Sequence, residues 1–370
     1  MARLTRLKLL GYKSIKEANI EFSSMNVLIG ANGAGKSSLV SFFRLLNEMM
    51  GARLQEFIGQ HGRAHSLLHH GPKRTPQIEA TLEFETDTGT SVYDARWFYA
   101  AGDTLGFASE SLQFVRSGSS IVPNAVSLGA GHFETRIREE ANQGQANAKV
   151  FRHLLNTCRV YHFHDTSATA RVRQAGYVNN HSLLMYDAAN LAPFLYHLKE
   201  APDPSIYCRI VKTIQLVAPF FDEFDLEPEG PGGKDLLLNW REKGSDQLFG
   251  PHQLSDGTLR AICLITLLLQ PTETLPALII VDEPELGLHP YALNVIAALF
   301  QKAAAHSQVL ISTQSSTFLD HFQPKDVIVV DRTKQGSTFK RPDPDQLEAW
   351  LEEYSLGEVW EKNVVAGGPH

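Results

Sequence analysis

The sequence predicts an α/β fold with a mixed central sheet, and three observations predict it. An apolar run, Met25-Asn26-Val27-Leu28-Ile29, leads into the glycine-rich Gly30-Ala31-Asn32-Gly33-Ala34-Gly35-Lys36-Ser37, after which Leu39, Phe42, Phe43, Leu46 and Met50 recur at helical spacing. Alternation in Ile78-Glu79-Ala80-Thr81-Leu82-Glu83-Phe84 and in Val92-Tyr93-Asp94-Ala95-Arg96-Trp97 signals antiparallel strands. From Leu275 onward short, purely apolar strands alternate with helices, which is the texture of parallel strands covered on both faces.

In chain order, residues 4–29 read as two or three strands, the last feeding the glycine-rich loop, and 37–50 as a helix. Residues 51–76 read as irregular, rich in Gly and His, ending in Gly71-Pro72-Lys73-Arg74. After the strands of 78–98, more short strands and turns are expected over 105–130, then helical regions near 134–157 and 187–218. Pro228-Glu229-Gly230-Pro231-Gly232-Gly233-Lys234 is a loop by composition. The run from Ala261 to Leu269, with Thr266 inside it, reads as a buried helix. No internal repeat, low-complexity tract or sustained heptad pattern is visible.

At 370 residues the chain can build one large or two ordinary domains, and 43% hydrophobic with 20% charged residues is a globular composition. A net charge of −7 argues against a surface built mainly to hold nucleic acid, though it leaves room for a local basic groove. Cys158, Cys208 and Cys263 lack ligand spacing, so neither disulfides nor a zinc site is expected. The first residues alternate charge and apolarity without a secretory core, and no run is long enough to span a bilayer, so a cytoplasmic location without membrane contact is expected.

Residues 30–37 match G-x-x-x-x-G-K-[ST] in the strand-to-helix setting the pattern requires. Glycines let the backbone wind around an anion while N–H groups of the new helix point at it. Asn32, Gly33, Ala34, Gly35, Lys36, Ser37 and Ser38 are therefore candidate nucleotide contacts, with Lys36 neutralising the β- and γ-phosphates and the Ser37 hydroxyl ligating Mg²⁺. A second apolar strand, Ala277-Leu278-Ile279-Ile280-Val281, delivers Asp282 and Glu283. Asp282 is the candidate Mg²⁺ ligand and Glu283 the group that orients or deprotonates the attacking water.

Leu254-Ser255-Asp256-Gly257-Thr258-Leu259-Arg260 precedes the apolar helix, and its Ser255 and Gly257 would present backbone N–H groups to an anion. Such a serine is ordinarily a plain helix cap, and its place some 20-odd residues before the carboxylate strand gives it the further reading. A third strand, Val309-Leu310-Ile311-Ser312-Thr313, ends at Gln314. Two readings of Gln314 stand side by side: a contact to γ-phosphate or attacking water, and a polar strand end.

Together these motifs resemble the ATP-binding-cassette ATPases of the SMC/RecF class and, more narrowly, the compact bacterial AAA/OLD-like ATPases. The resemblance covers essentially the whole chain. It rests on the opening hairpin 9–22, the Walker A loop 30–38, the signature 254–260, the Walker B and D-loop segment 282–290 and the switch region 312–315. The segments Tyr161-His162-Phe163-His164-Asp165-Thr166-Ser167 and Glu353-Tyr354-Ser355-Leu356-Gly357 also look like the compact group.

It implies a P-loop NTPase of ABC/SMC-head type, with a mixed central sheet, an antiparallel β-subdomain and a helical signature lobe. The head would span 1–342, with a nucleotide lobe of about 1–130 and 270–342, a signature lobe of about 131–269, and a helical tail over 343–370. It implies ATP and Mg²⁺ as ligands and a head-to-tail homodimer, with ATP bound by Lys36 of one copy and capped by Ser255 of the other. It also places Lys13, in the turn after the first strand, near the nucleotide. Two positions depart from the pattern: Asp256 stands where many transporters have Gly, and Gln314 where many members have His, which puts the hydrolysis rate in question. Gln60 and Gln174 are the candidates for a Q-loop residue, and neither has deciding context.

Weaker clusters have plainer readings. His61, His65 and His69 are spaced by four, with His70 following, yet Gly59, Gly62 and Gly71 argue against a helix that would gather them around a metal. Lys73 and Arg74, with Arg63, read as a solvated loop before a phosphate or partner contact. His162, His164 and Asp165 read as a structural hydrogen-bonded cluster. Two function classes follow: an ATP-hydrolysing dimeric switch acting on DNA in repair, genome maintenance or phage defence, and a regulatory ATPase controlling a separately encoded nuclease or toxin. A transporter subunit is the distant third.

Overall fold

A computed structural model describes residues 2–118, 123–230, 232–364 and 368. The chain divides into two compact units. One comprises Met1–Val160, Pro276–Ile280 and Gln308–His370; the other comprises Tyr161–Leu275 and Val281–Ser307.

The described residues form two six-stranded sheets. One is antiparallel, with the strands in the order Ile15–Glu21, Arg3–Tyr12, Gln77–Thr86, Gly89–Ala100, Thr104–Arg116 and Val126–Gly129. Strand Gln77–Thr86 buries Ile78, Ala80, Leu82 and Phe84 and turns the intervening residues outward, so the period-two pattern in the sequence is the period of the sheet. The short strands expected over 105–130 are in fact one 13-residue strand, Thr104–Arg116, and a short partner, since a register shift beside Trp97 interrupts the alternation.

The other sheet runs Gly336–Lys340, Val327–Thr333, Met25–Ile29, Gln308–Thr313, Leu278–Asp282 and Cys158–Tyr161. Strand Met25–Ile29 pairs in parallel with both Gln308–Thr313 and Val327–Thr333, and all five of its residues are buried. Helix Lys36–Met50 lies in the same apolar core as both sheets, through Leu39, Phe42, Phe43, Leu46 and Met49. Gln308, 3% exposed, extends a side-chain amide to the first strand. Its Oε1 accepts from Leu4 N at 2.9 Å, while Nε2 donates to Leu4 O at 2.6 Å and Ser23 O at 3.0 Å.

The segment 51–76, expected to be irregular, contains two short helices, Leu54–Gln60 and Arg63–Leu67. Gly62 separates them in the left-handed region, φ +82°, so the glycine that argued against one helix serves as the break between two. Helices Pro344–Leu351 and Leu356–Glu361 follow the last strand. Ser355 and Glu358 close a capping box, and Gly357 N donates to Asp320 Oδ1 at 2.6 Å, against helix Ser316–Leu319. The segment 353–357 therefore serves as an anchor.

In the second unit, helices Ser205–Val217, Asp256–Leu269 and Pro290–Ala303 pack together, with Leu191–Lys199 against the first of them. Helix Asp256–Leu269 is buried at Leu259 and from Ala261 to Leu269, Thr266 included, as its apolar run requires. This unit also carries a three-stranded sheet absent from the sequence reading: Phe221–Asp225, Asn239–Glu242 and Leu248–Phe249. Stacking holds it together: the Trp240 ring lies 4.8 Å from Phe249 and 6.0 Å from Phe221. Among the described residues no helix is long and apolar enough to cross a membrane.

Candidate functional site

The glycine-rich loop leaves strand Met25–Ile29 and closes at the start of helix Lys36–Met50. Its glycines are fixed by space as much as by torsion. A Cβ at Gly30 would lie 2.2 Å from the Val330 carbonyl oxygen, and one at Gly35, φ +122°, would lie 2.1 Å from Ser337 Oγ. Gly33, φ +77°, needs the left-handed region alone. Lys36 is 5% exposed and folds back over the loop, donating Nζ–H to Gly30 O at 2.6 Å and Ala31 O at 3.2 Å. Asn32, Gly33 and Ser37 are exposed, Ala34 is buried, and Ser38 is half-buried. The exposed Ser37 hydroxyl follows a loop wound as an anion cradle, which fits the ligand set of a metal–phosphate complex.

The turn after the first strand joins this loop. Ser14 Oγ donates to Ser38 Oγ at 2.8 Å and accepts from Ser337 Oγ at 2.8 Å. Lys13, with φ +46°, donates Nζ–H to Ser41 Oγ at 2.6 Å on the phosphate-loop helix. Burial, then the neighbouring Arg44, holds its pKa below the ordinary lysine value. Because Met25–Ile29 and Gln308–Thr313 run parallel in register, the glycine-rich loop and the residues after Thr313 leave the same edge of the sheet. There Ser312 Oγ is buried without a hydrogen-bond partner, Gln314 is half-buried, and Ser315 caps the next helix through Phe318 N at 3.1 Å.

The second unit gathers the other motifs. Asp282 ends its strand with Oδ1 buried and without a hydrogen-bond partner. An orphaned carboxylate oxygen fits a role as acceptor for a hydrated cation. Glu283 has φ +44°, a left-handed backbone that a non-glycine residue adopts only when its surroundings impose it. The chain then turns through Gly287, φ +71°, to His289, whose Nδ1 accepts from Tyr291 N at 3.3 Å and caps helix Pro290–Ala303.

Ser255 caps helix Asp256–Leu269, its Oγ accepting from Thr258 N at 3.2 Å, and stays exposed. Gly257 packs against the turn just described: a Cβ there would lie 2.2 Å from the Gly287 carbonyl oxygen. Arg260 donates Nη1–H to Leu286 O at 2.9 Å, Nη2–H to His164 O at 2.8 Å and Nε–H to Phe163 O at 3.3 Å. His164 in turn donates Nε2–H to the Asp282 carbonyl at 2.9 Å, a carbonyl being an acceptor only. The departure at Asp256 has a partner, since Arg173, 4% exposed, donates Nη2–H to Asp256 Oδ1 at 2.9 Å. The same guanidinium donates to Thr166 O at 2.8 Å, to Leu254 O at 3.2 Å and to Pro251 O.

Arg173 and Arg260 were missed as contributors. The weaker clusters disperse. His65 pairs with Asp103 at 2.6 Å, His69 bonds the Lys13 carbonyl at 2.8 Å, and His61 stacks on Phe57. No group of three or more metal-ligating side chains occurs among the described residues. The His162 and His164 rings lie 4.0 Å apart, whereas Asp165 turns to Ser167, whose hydroxyl and N–H hold its carboxyl below the usual range. Gln60 bonds Glu56 at 3.0 Å and Gln174 bonds Ala168 O at 3.2 Å, both on exposed surface.

Comparison with known proteins matches the two parts of the chain to two family profiles. Residues 6–165 match an "AAA domain", and residues 170–320 match "AAA domain, putative AbiEii toxin, Type IV TA system". No curated protein matches the sequence. Among solved structures, an Smc head bound to the C-winged helix domain of ScpA is similar at TM-score 0.63 and 16% identity, covering 92% of this chain and 98% of that one. A Pyrococcus furiosus Smc head with an extended coiled coil, bound to the C-terminal domain of ScpA, is similar at TM-score 0.60 and 15% identity, covering 95% and 99%. At those identities the likeness speaks for the fold, and the AAA profiles speak for the sequence. The chain thus carries AAA-domain profiles over residues 6–165 and 170–320 on a fold like that of the Smc heads.

Proposed function

We propose that this chain binds ATP with Mg²⁺, dimerises head to tail around it, and hydrolyses it to ADP and phosphate while acting on DNA. The observation that carries the reading is the loop 30–37, in which Gly30 and Gly35 have no room for a side chain and a buried lysine lies over the backbone cradle. In this reading Asn32, Gly33, Ala34, Gly35, Lys36, Ser37 and Ser38 hold the triphosphate, with Lys13 nearby in the turn that bonds Ser41 of the phosphate-loop helix. Ser37 and Asp282 hold Mg²⁺, which screens phosphate charge when bound. Glu283 takes the proton of the attacking water, Gln314 orients that water, and Ser255 with Gly257 lids the nucleotide of a second copy. The bound γ-phosphate then acts as an interfacial ligand whose loss releases the pair.

The test is ATP turnover of the whole chain, with and without double- and single-stranded DNA, over a salt series. DNA stimulation that weakens as salt rises is the expected result, and turnover indifferent to DNA removes the DNA part. Lys36→Ala should abolish nucleotide binding, and unchanged turnover in that variant would refute the loop assignment. One observation favours a second reading, a regulatory ATPase that restrains an effector: the profile matched by residues 170–320 carries a toxin of a toxin–antitoxin system in its description. Co-purification of a neighbouring gene's product, released on ATP addition, would support it.

A further inference from the structure

We propose that His164 is a positioning residue for Glu283, and that Arg260 ties this positioning to the Ser255 helix. The inference rests on the reading of Glu283 as the group that activates water. The Asp282 carbonyl that receives the His164 Nε2–H bond, at 2.9 Å, belongs to the peptide joining Asp282 to Glu283. Rotation of that peptide plane changes φ of Glu283, which sits at +44°. A left-handed glutamate is costly and persists only where neighbouring groups over-determine it. The histidine bond fixes the plane from the strand side.

Arg260 fixes both ends of the arrangement. One of its nitrogens holds the His164 carbonyl at 2.8 Å, and another holds Leu286 O at 2.9 Å, on the far side of the turn. Gly257, on the same helix as Arg260, meets the next carbonyl of that turn, at Gly287, with no room for a methyl group. The segment 161–167, the turn 283–287 and the first turn of the Ser255 helix are thus linked by directed bonds to backbone atoms. A shift of that helix on meeting a second copy's nucleotide would reach the Asp282–Glu283 peptide through Arg260 and His164. His164 touches neither phosphate nor water in this scheme. It acts through the backbone.

The test compares His164→Ala, His164→Gln and Glu283→Gln in the full chain by steady-state ATPase kinetics, nucleotide affinity and thermal midpoint. A Gln side chain can return an N–H donor to the same carbonyl. His164→Ala should lower kcat about 10–100-fold, the range for loss of a group that orients a reacting one. KM and ATP affinity should stay within about twofold, and His164→Gln should recover most of the loss. Unchanged kcat in His164→Ala, with Glu283→Gln inactive, overturns the proposal and leaves the function reading standing. So does a loss in His164→Ala that Gln does not recover and that falls equally on affinity. Full turnover in Glu283→Gln would overturn the reading of Glu283 and the proposal with it.

Discussion

A glutamate held in a left-handed conformation is unusual enough to carry predictions about single residues. Glu283→Gln keeps the shape and removes the base, so ATP binding should survive while turnover falls about 10²–10⁴-fold. Turnover and filter binding, measured side by side, separate the two effects. Gly257→Ala should be disproportionately harmful, because its methyl group would meet the Gly287 carbonyl oxygen at 2.2 Å. Cysteine chemistry gives an independent check on burial. Cys158 and Cys263 are buried, with thiols pushed up to about 12, whereas Cys208 is exposed. Alkylation of the native protein should label Cys208, and labelling of all three cysteines at equal rates would contradict the packing described here. The motifs stand out in the sequence because glycine, lysine and acidic residues at fixed spacing have few other uses. His164 and the two arginines were not legible as contributors, because all but one of the bonds described for them go to backbone carbonyls, which leave no trace in residue type.

Among the elements, the helix behind Ser255 allows a comparison of two kinds of anchor. Its cap is local, and Ser255→Ala should cost about 1 kcal/mol in denaturant unfolding. Asp256 is mostly exposed, at 66%, so removing its carboxylate should cost no more than ~1 kcal/mol. Arg173→Met is the larger lesion, since it strands the carbonyls of Thr166, Leu254 and Pro251 in the interior, at roughly 1–3 kcal/mol for each buried group left unsatisfied. A smaller loss in Arg173→Met than in Asp256→Ala would show that the guanidinium serves the carboxylate and not the backbone. The long periodic elements could be read from pattern alone, as in strand Gln77–Thr86 and helix Lys36–Met50. The sheet around Trp240 could not, because its strands of two to five residues are too short to display a period and are joined by side-chain stacking.

For the whole molecule, the expected behaviour is association controlled by nucleotide. Glu283→Gln with ATP and Mg²⁺ should elute as a dimer in gel filtration and return to monomer with ADP. A profile unchanged between the two nucleotides would count heavily against the proposed mechanism. The sequence conveyed the α/β class and its mixed sheet through texture, but which segments sit side by side is decided by long-range pairing, invisible to local pattern. That pairing has a consequence for how the protein is made. Strand Met25–Ile29 finds its flanking neighbours only in Gln308–Thr313 and Val327–Thr333, and Leu4 meets the Gln308 amide across 304 positions. At roughly 5–20 residues per second of synthesis, an apolar segment near the start waits on the order of 15–60 s for the strands that will cover it. During that interval the nascent polypeptide offers an uncovered, sticky ribbon to the cell. Its yield in expression should therefore depend on trigger-factor-like holdases and on slower growth temperature more than that of a protein assembled from neighbouring stretches.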